Sequence, residues 1–371
     1  MKMTFRWYGE GNDTVQLQQI RQIPEMTGIM GVLDDIPAGE VWPADRIADY
    51  VAHVNSHGLE VEVIESVNIH EDIKLGAPSR DRYIDNYIQT MVNLAGSGIR
   101  VIIYNFMPVF DWVRTDLTRR NADGSTSFFY DENELRGMTP QELVAYNASK
   151  ADGFTFSGWE PQRLAELDRI LVAYEDVDQD QLFENYRYFL ERVIPHAEEL
   201  GIRLAIHPDD PAWPVFGIPR LAHSQALLDR ILALYDSPAH ALCLCTGSLG
   251  SDPENRIPEM IARYGQQDRI AAMHVRNVRY IDEGVFIESA HPTSYGHLDM
   301  YAIMQAIYQH CPDVYIRPDH GRAIWDERAR AGYGLYDRAL GAVYLIGLWE
   351  AISRAAGDPP IFAPPPTQAA D

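Results

Sequence analysis

Eight short apolar runs, separated by stretches of helical periodicity, constrain this 371-residue chain more than any other feature. They are TFRWYG (4–9), GIMGVL (28–33), LEVEVIES (59–66), RVIIYN (100–105), IRLAIHP (202–208), ALCLCTG (241–247), IAAMHVRN (270–277) and VYIRPDHG (314–321). Each has strand length and ends in Gly, Pro, Asn or a polar cluster. Helical periodicity falls at 13–20, 44–57, 80–97, 181–200, 222–235, 254–264, 299–309 and 335–354. Strands alternating with helices predict a parallel sheet, and eight such units predict a closed (β/α)₈ TIM barrel. An open doubly wound sheet is the alternative, but no Gly-x-Gly-x-x-Gly follows the first strand.

Two segments depart from this plan. Residues 106–180, after the fourth strand, exceed an ordinary connection, and insertions at strand C-terminal ends are commonly lids or binding loops. Helix-like pieces are expected inside it near 139–150 and 160–172, and residues 106–135 are expected to order over substrate. Residues 356–371 are Pro-rich and read as an extended tail, leaving 1–355 as a single barrel domain. A hydrophobic fraction of 46% supports a sizeable core. The net charge of −23 disfavours nucleic-acid and anionic-membrane partners, which require a basic surface. The chain start has no apolar stretch of the signal-peptide kind and no run of about 18 apolar residues occurs later, so a soluble, cytoplasmic protein is expected. Three cysteines, Cys243, Cys245 and Cys311, argue against a disulfide framework and leave free thiols as core residues or ligands.

The chemistry-bearing residues cluster at strand ends. His207, Cys245, His274 and Asp319 follow strands five to eight, one βα unit apart, which brings them to one side of the barrel mouth. Strand alternation turns Ala205, Cys243 and Ala272 inward beneath them, and turns Leu204, Ile206, Leu242, Leu244 and Met273 toward the helices. A lone strand-end His is more often structural and a lone Cys more often a small hydrophobe. Four such residues on four successive strands point instead to two imidazoles, a thiolate and a carboxylate around a divalent transition metal. Arg276, two past His274, is placed to hold a substrate carboxylate or to pair with an acidic loop. Arg317 points deeper and is expected near Glu62. TGSLGSD (246–252) lacks a P-loop lysine and reads as a tight turn. In RPDHGR, Pro318 holds Arg317 extended and Gly321 is expected to supply the sharp turn. Adjacent residues rarely ligate one ion, so His320 is directed to the substrate. Tyr333 stands between Gly332 and Gly334.

The chain resembles the mannonate dehydratases of sugar-acid degradation. The resemblance rests on FRWYGEGNDTVQL, GIMGVLDDIPAGEVWP, VIESVNIHEDIKLG, YNFMPVFDWVRTDL, AIHPDDPAWPVFGIPR, LCLCTGSLG, MHVRNV, ESAH and RPDHGRAIWDERARAGYGLYDRALG, in order along nearly the whole chain. It implies a xylose-isomerase-like barrel, a divalent metal, and dehydration of D-mannonate to 2-keto-3-deoxy-D-gluconate in glucuronate catabolism. It supports His207, Cys245, His274 and Asp319 as ligands and implies His320 with Tyr333 as catalytic groups. Arg276, Asn105, His70, His291 and Arg322 are the candidate substrate contacts. The expected metal is Mn²⁺, with Fe²⁺ as the other member of that class, although thiolate with two imidazoles also suits zinc. A homo-oligomer, a dimer, is expected. The competing readings are a metal-dependent sugar isomerase, whose sites gather more carboxylates, and a non-catalytic sugar-acid-binding protein.

Overall fold

In the computed structural model, which describes residues 1–150 and 165–358, the eight predicted runs form the strands of one closed parallel barrel. Among the described residues the strands, in chain order, are β1 (Lys2–Arg6), β2 (Met26–Gly31), β3 (Glu60–Glu65), β4 (Val101–Tyr104), β5 (Asp116–Arg120), β6 (Thr126–Asp131), β7 (Arg203–Ile206), β8 (His240–Cys245), β9 (Ile270–His274), β10 (Val278–Asp282), β11 (Val285–Glu288) and β12 (Tyr315–Arg317). The barrel closes as β1-β12-β9-β8-β7-β4-β3-β2. The predicted helices appear as Leu17–Arg21, Ala44–Ser56, Arg80–Gly96, Gln179–Leu200, Gln225–Ala233, Ile257–Gln266, Met300–His310 and Leu335–Ala356.

Side-chain size explains how the barrel is filled. Ala205, Ala241, Cys243, Ala271 and Ala272 pack inside with Met30, Val63, Val101 and Ile103. Leu204, Ile206, Leu242, Leu244 and Met273 belong to the outer core between sheet and helices. Small inner residues on β7, β8 and β9 leave room for longer polar side chains one layer up, at the C-terminal mouth. Helix Gln179–Leu200 starts at Asp178, whose side chain accepts from the Gln181 N–H, and buries Leu182, Phe183, Tyr186, Phe189, Leu190, Val193 and Ile194 on one face. Burying each such side chain contributes about 1.5–3 kcal/mol. Helix Leu335–Ala356 is the one described helix long and apolar enough to cross a membrane. It buries Ala342, Leu345, Ile346, Trp349 and Ile352, as a barrel helix does.

The insertion contributes a structure the sequence reading lacked. β5 and β6 pair with each other, and β6 pairs with β11, making a four-stranded antiparallel sheet in the order β10-β11-β6-β5. Phe129 lies opposite Ile287 and Tyr130 opposite Phe286. VRYIDEGVFIE alternates around an Asp-Glu-Gly turn, a hairpin signal overshadowed by the preceding barrel strand. Helices Pro140–Lys150 and Leu167–Tyr174 match the two expected pieces within the described residues, while part of the second piece and tail residues 359–371 lie outside them.

Candidate active site and metal centre

Strand register sets the site. Cys245 of β8 lies opposite His274 of β9, which lies opposite Arg317 of β12, so three adjacent strands present these residues at one level. His207 follows β7, and its Nε2 lies 3.0 Å from His274 Nδ1. The ligand atoms of His207, Cys245 and His274 all lie within 4.8 Å of one another. Asp319 joins them at the edge, its Oδ2 3.3 Å from Cys245 Sγ and its Oδ1 3.9 Å from His274 Nδ1.

The hydrogen bonds around the two imidazoles test whether this set fits a cation. His207 Nδ1 lies 2.7 Å from the Pro208 carbonyl, to which it must donate, so in the neutral ring Nε2 carries a lone pair. His274 Nε2 faces Glu65 Oε2 at 3.3 Å, and Arg317 Nη2 donates to Nδ1 at 3.2 Å. Nδ1 is therefore also a lone pair. Two lone pairs pointed at each other across 3.0 Å repel unless a cation or proton lies between them. Glu65 and the Pro208 carbonyl are the kind of outer partners that orient metal-binding imidazoles. Cys245 Sγ accepts from Ser248 Oγ at 3.0 Å and from the Ser248 N–H at 3.4 Å. The TGSLGSD turn is thus a short helix, Thr246–Leu249, aimed at the sulfur. Cys243, one layer down, is buried among apolar atoms, and burial pushes its thiol well above its ordinary value.

Asp319 is held between two guanidiniums, Arg276 Nε at 2.6 Å and Arg317 Nη1 at 2.7 Å. Burial works to raise its pKa, but His320, Arg317 and Arg276 together hold it well below the usual carboxylate range. Arg317 also makes a bidentate pair with Glu65, at 2.8 and 2.9 Å. The expected partner, Glu62, instead binds Lys2 at 2.6 Å. Glu65 shares the inward face of β3 with Val63, and this strand-end carboxylate was the signal available in the sequence.

The RPDHG turn also differs from expectation in one respect. Asp319 itself takes the left-handed conformation, with φ of +61°, which Asp tolerates better than most residues. Gly321 serves close approach instead: a Cβ there would lie 3.1 Å from Arg338 Cγ and 3.3 Å from both the Arg338 nitrogen and Asp337 Cβ. His320 is 7% exposed, and its Nε2 lies 2.9 Å from Tyr333 Oη. Trp112 and Phe128 from the insertion pack edge-on against His320 at centroid distances of 6.3 and 5.5 Å. Burial, reinforced by Tyr8, pushes the Tyr333 phenol well above its ordinary value, so it stays protonated at neutral pH.

His207, Asp319, His320, Tyr333 and Asn105 line one cleft of about 640 Å³ at the barrel mouth. The other expected substrate contacts are placed elsewhere. Arg276 is buried with its donors committed to Asp319, Glu288 and Asp210, so of its two expected uses the structure shows pairing with carboxylates, three of which converge on it. Gly247 makes room for it, since a Cβ there would lie 2.3 Å from the guanidinium carbon. His291 contacts the Pro318 carbonyl at 2.7 Å behind the turn. Arg322 pairs with Asp337 at 2.8 Å and Asp123 at 3.0 Å. His70 stacks on Tyr83 at 3.6 Å in a second, outer cleft.

The sequence model of the D-mannonate dehydratase family matches residues 1–358. A mannonate dehydratase of Lachnoclostridium phytofermentans is 61% identical over 357 residues, covering 96% of this chain and all of the relative. That of Thermotoga neapolitana is 53% identical over 354 residues, covering 95% of this chain and 98% of its own. The chain belongs to the D-mannonate dehydratase family. It is a carbon–oxygen hydro-lyase that dehydrates D-mannonate. The crystal structure of the mannonate dehydratase of Streptococcus suis serotype 2 superposes with a TM-score of 0.90 at 40% identity, covering 100% of this chain and 99% of that one. A xylose isomerase domain protein of Planctomyces limnophilus, at 12% identity, TM-score 0.53, 95% of this chain and 98% of its own, shares the fold. For this dehydratase the His/Cys cluster is a site chemically suited to a divalent metal.

Proposed function

We propose that dehydration of D-mannonate here depends on a divalent metal held by His207, Cys245, His274 and Asp319, with His320 and Tyr333 as the acid–base pair. The observation that carries this reading is the convergence of His207 Nε2 and His274 Nδ1, 3.0 Å apart, beside the Cys245 thiol. The resemblance to mannonate dehydratases favours Mn²⁺ over Fe²⁺. When bound, the ion supplies Lewis-acid polarisation of substrate oxygens, worth several kcal/mol.

The chain's own residues supply the proton traffic. A base takes the C2 proton, the electron pair forms the C2–C3 double bond, and the C3–oxygen bond breaks as an acid protonates the departing hydroxyl. The resulting enol ketonises to 2-keto-3-deoxy-D-gluconate. His320 supplies an imidazole, the side chain best suited to take or give a proton in acid–base catalysis. Tyr333, protonated and 2.9 Å from His320, is a donor poised in the same cleft. Trp112 and Phe128 cover one side of His320 with aromatic rings. Asn105, in the cleft wall, is a substrate hydrogen-bonding group. The enzyme works in the cytoplasm as a homodimer in glucuronate catabolism.

The deciding experiment measures deuterium exchange at C2 of mannonate in His320→Asn and Tyr333→Phe, each verified to hold metal. Exchange that persists without product identifies the altered residue as the acid, and lost exchange identifies it as the base. Near-normal turnover in either variant removes that residue from the mechanism.

A further inference from the structure

Glu288 takes no part in the steps above, yet it is 3% exposed and stands behind His320. It ends β11, so the accessory sheet, through pairing of β11 with β6 of the insertion, delivers it to the barrel mouth. Its Oε1 accepts from Arg114 Nη2 at 2.7 Å, and its Oε2 pairs with Arg276 Nη1. The same Oε1 lies 3.7 Å from His320 Nδ1. That nitrogen is buried and has no hydrogen-bond partner among the described residues.

A neutral imidazole carries one N–H, and its neighbours decide on which nitrogen. With the proton on Nδ1, the N–H points at the Glu288 carboxylate and Nε2 offers its lone pair to the Tyr333 hydroxyl, 2.9 Å away on the cleft side. With the proton on Nε2, the Nδ1 lone pair would face the Glu288 oxygen at 3.7 Å with no donor beside it. Asp319 Oδ1 also lies 3.7 Å from Nε2, but there the Tyr333 hydroxyl stands at 2.9 Å to donate to the lone pair. The distance exceeds a formed hydrogen bond, as is common before substrate closes an active site. We propose that Glu288 is a positioning residue: it fixes the ring orientation and the Nδ1–H tautomer of His320, so that Nε2 works on the substrate. This inference rests on the reading of His320 as an acid–base group. Arg114 and Arg276 hold the carboxylate in place from two sides, Arg114 with a bidentate grip on Asp210 at 2.7 and 2.9 Å.

The test is a double-mutant cycle on the manganese-loaded enzyme with mannonate, reading kcat, KM and metal content in wild type, Glu288→Gln, His320→Asn and the double variant. Glu288→Gln is expected to lower kcat by about 10²–10⁴-fold, as loss of an imidazole-orienting carboxylate does elsewhere. KM should stay within about threefold and metal content should not change. In the His320→Asn background the same change should cost less than about twofold. An equal cost in both backgrounds, or metal loss that tracks kcat, would show that Glu288 acts through Arg276 and Asp319, and would overturn the inference. Turnover of His320→Asn near the wild-type rate would instead sink the acid–base reading beneath it. If Glu288→Gln does not fold, Glu288→Asp keeps the charge on the two arginines while withdrawing it from His320, and the same kcat-only loss is expected. Independently of activity, ¹⁵N shifts of His320 in wild type should report a proton on Nδ1, and a proton on Nε2 overturns the proposal.

Discussion

Cys245 and Cys243 are two residues apart on one strand, share a face, and differ in what surrounds them. Cys245 Sγ receives two donors from Ser248 and faces the ligand cluster. Cys243 sits in the apolar inner layer, with its Sγ 3.3 Å from His274 Nε2. Cys245→Ser should therefore weaken metal binding by about a hundredfold or more, and Cys243→Ser by less than about tenfold. Cobalt substitution reads this directly, since the thiolate charge-transfer band should vanish only in the first variant. Gly321 permits a second prediction. Gly321→Ala forces a Cβ into contact with Arg338 and Asp337, so an overpacking loss of about 1–3 kcal/mol should appear in thermal unfolding.

At the scale of elements, the insertion is held down by charge as well as by apolar packing. Lys74, in the short helix Glu71–Lys74, is 1% exposed and donates to Glu71 Oε1 at 2.9 Å and to the Met107 carbonyl at 2.7 Å. Tyr174, from the far end of the insertion, donates to Glu71 Oε2 at 2.7 Å. This brace fixes the chain just before Val109, which has φ of +64°, a conformation costly for a β-branched residue. Lys74→Met removes one partner of a buried ion pair and should cost about 3–5 kcal/mol. Denaturant unfolding measures the loss, and limited proteolysis should show new cleavage within 105–112, next to the cleft-lining Asp111 and Trp112. Unchanged stability and cleavage would mean that the aromatic contacts hold this segment alone.

For the whole molecule, buried titratable groups predict an acid-sensitive fold. Burial pulls His240 from 6.5 down to about 4, against its contact with the Tyr235 carbonyl. Between those values the unfolded chain binds the proton and the folded chain does not, so stability falls as pH drops from about 6.5 to about 4. The loss from this group approaches about 3 kcal/mol. Glu65 and Asp319 titrate well below the ordinary carboxylate range, despite burial, because Arg317 and His274 flank the first and His320, Arg317 and Arg276 the second. Their contribution is present above the unfolded carboxylate values near 4 and is lost as pH falls further. Urea unfolding from pH 7 to pH 3 should show two successive declines. His70, His223, His291 and His297 are lowered by burial as well and add to the upper decline, so His240→Asn should reduce it and leave the lower in place.

Much of this architecture was legible in the chain because its information is local. Strand alternation is a short-range property, so the inward run of Ala205, Cys243 and Ala272, and the ligand residues one layer above, could be read from parity alone. The order of eight strand–helix units fixed the barrel, and with it the neighbourhood of His207, Cys245, His274 and Asp319. Pairing between distant segments could not be read this way. Arg276 was identifiable as a cation at the mouth, but only folding brings Asp210, Glu288 and Asp319 onto it from three separate segments. The same holds for β6 against β11, for Glu65 against Arg317, and for the direction in which His291 and Arg322 turn. A sequence specifies which groups a strand end will offer through local periodicity and sterics. Which of them stay free for a substrate depends on long-range Coulomb and hydrogen-bond competition, and that competition exists only once the barrel has closed.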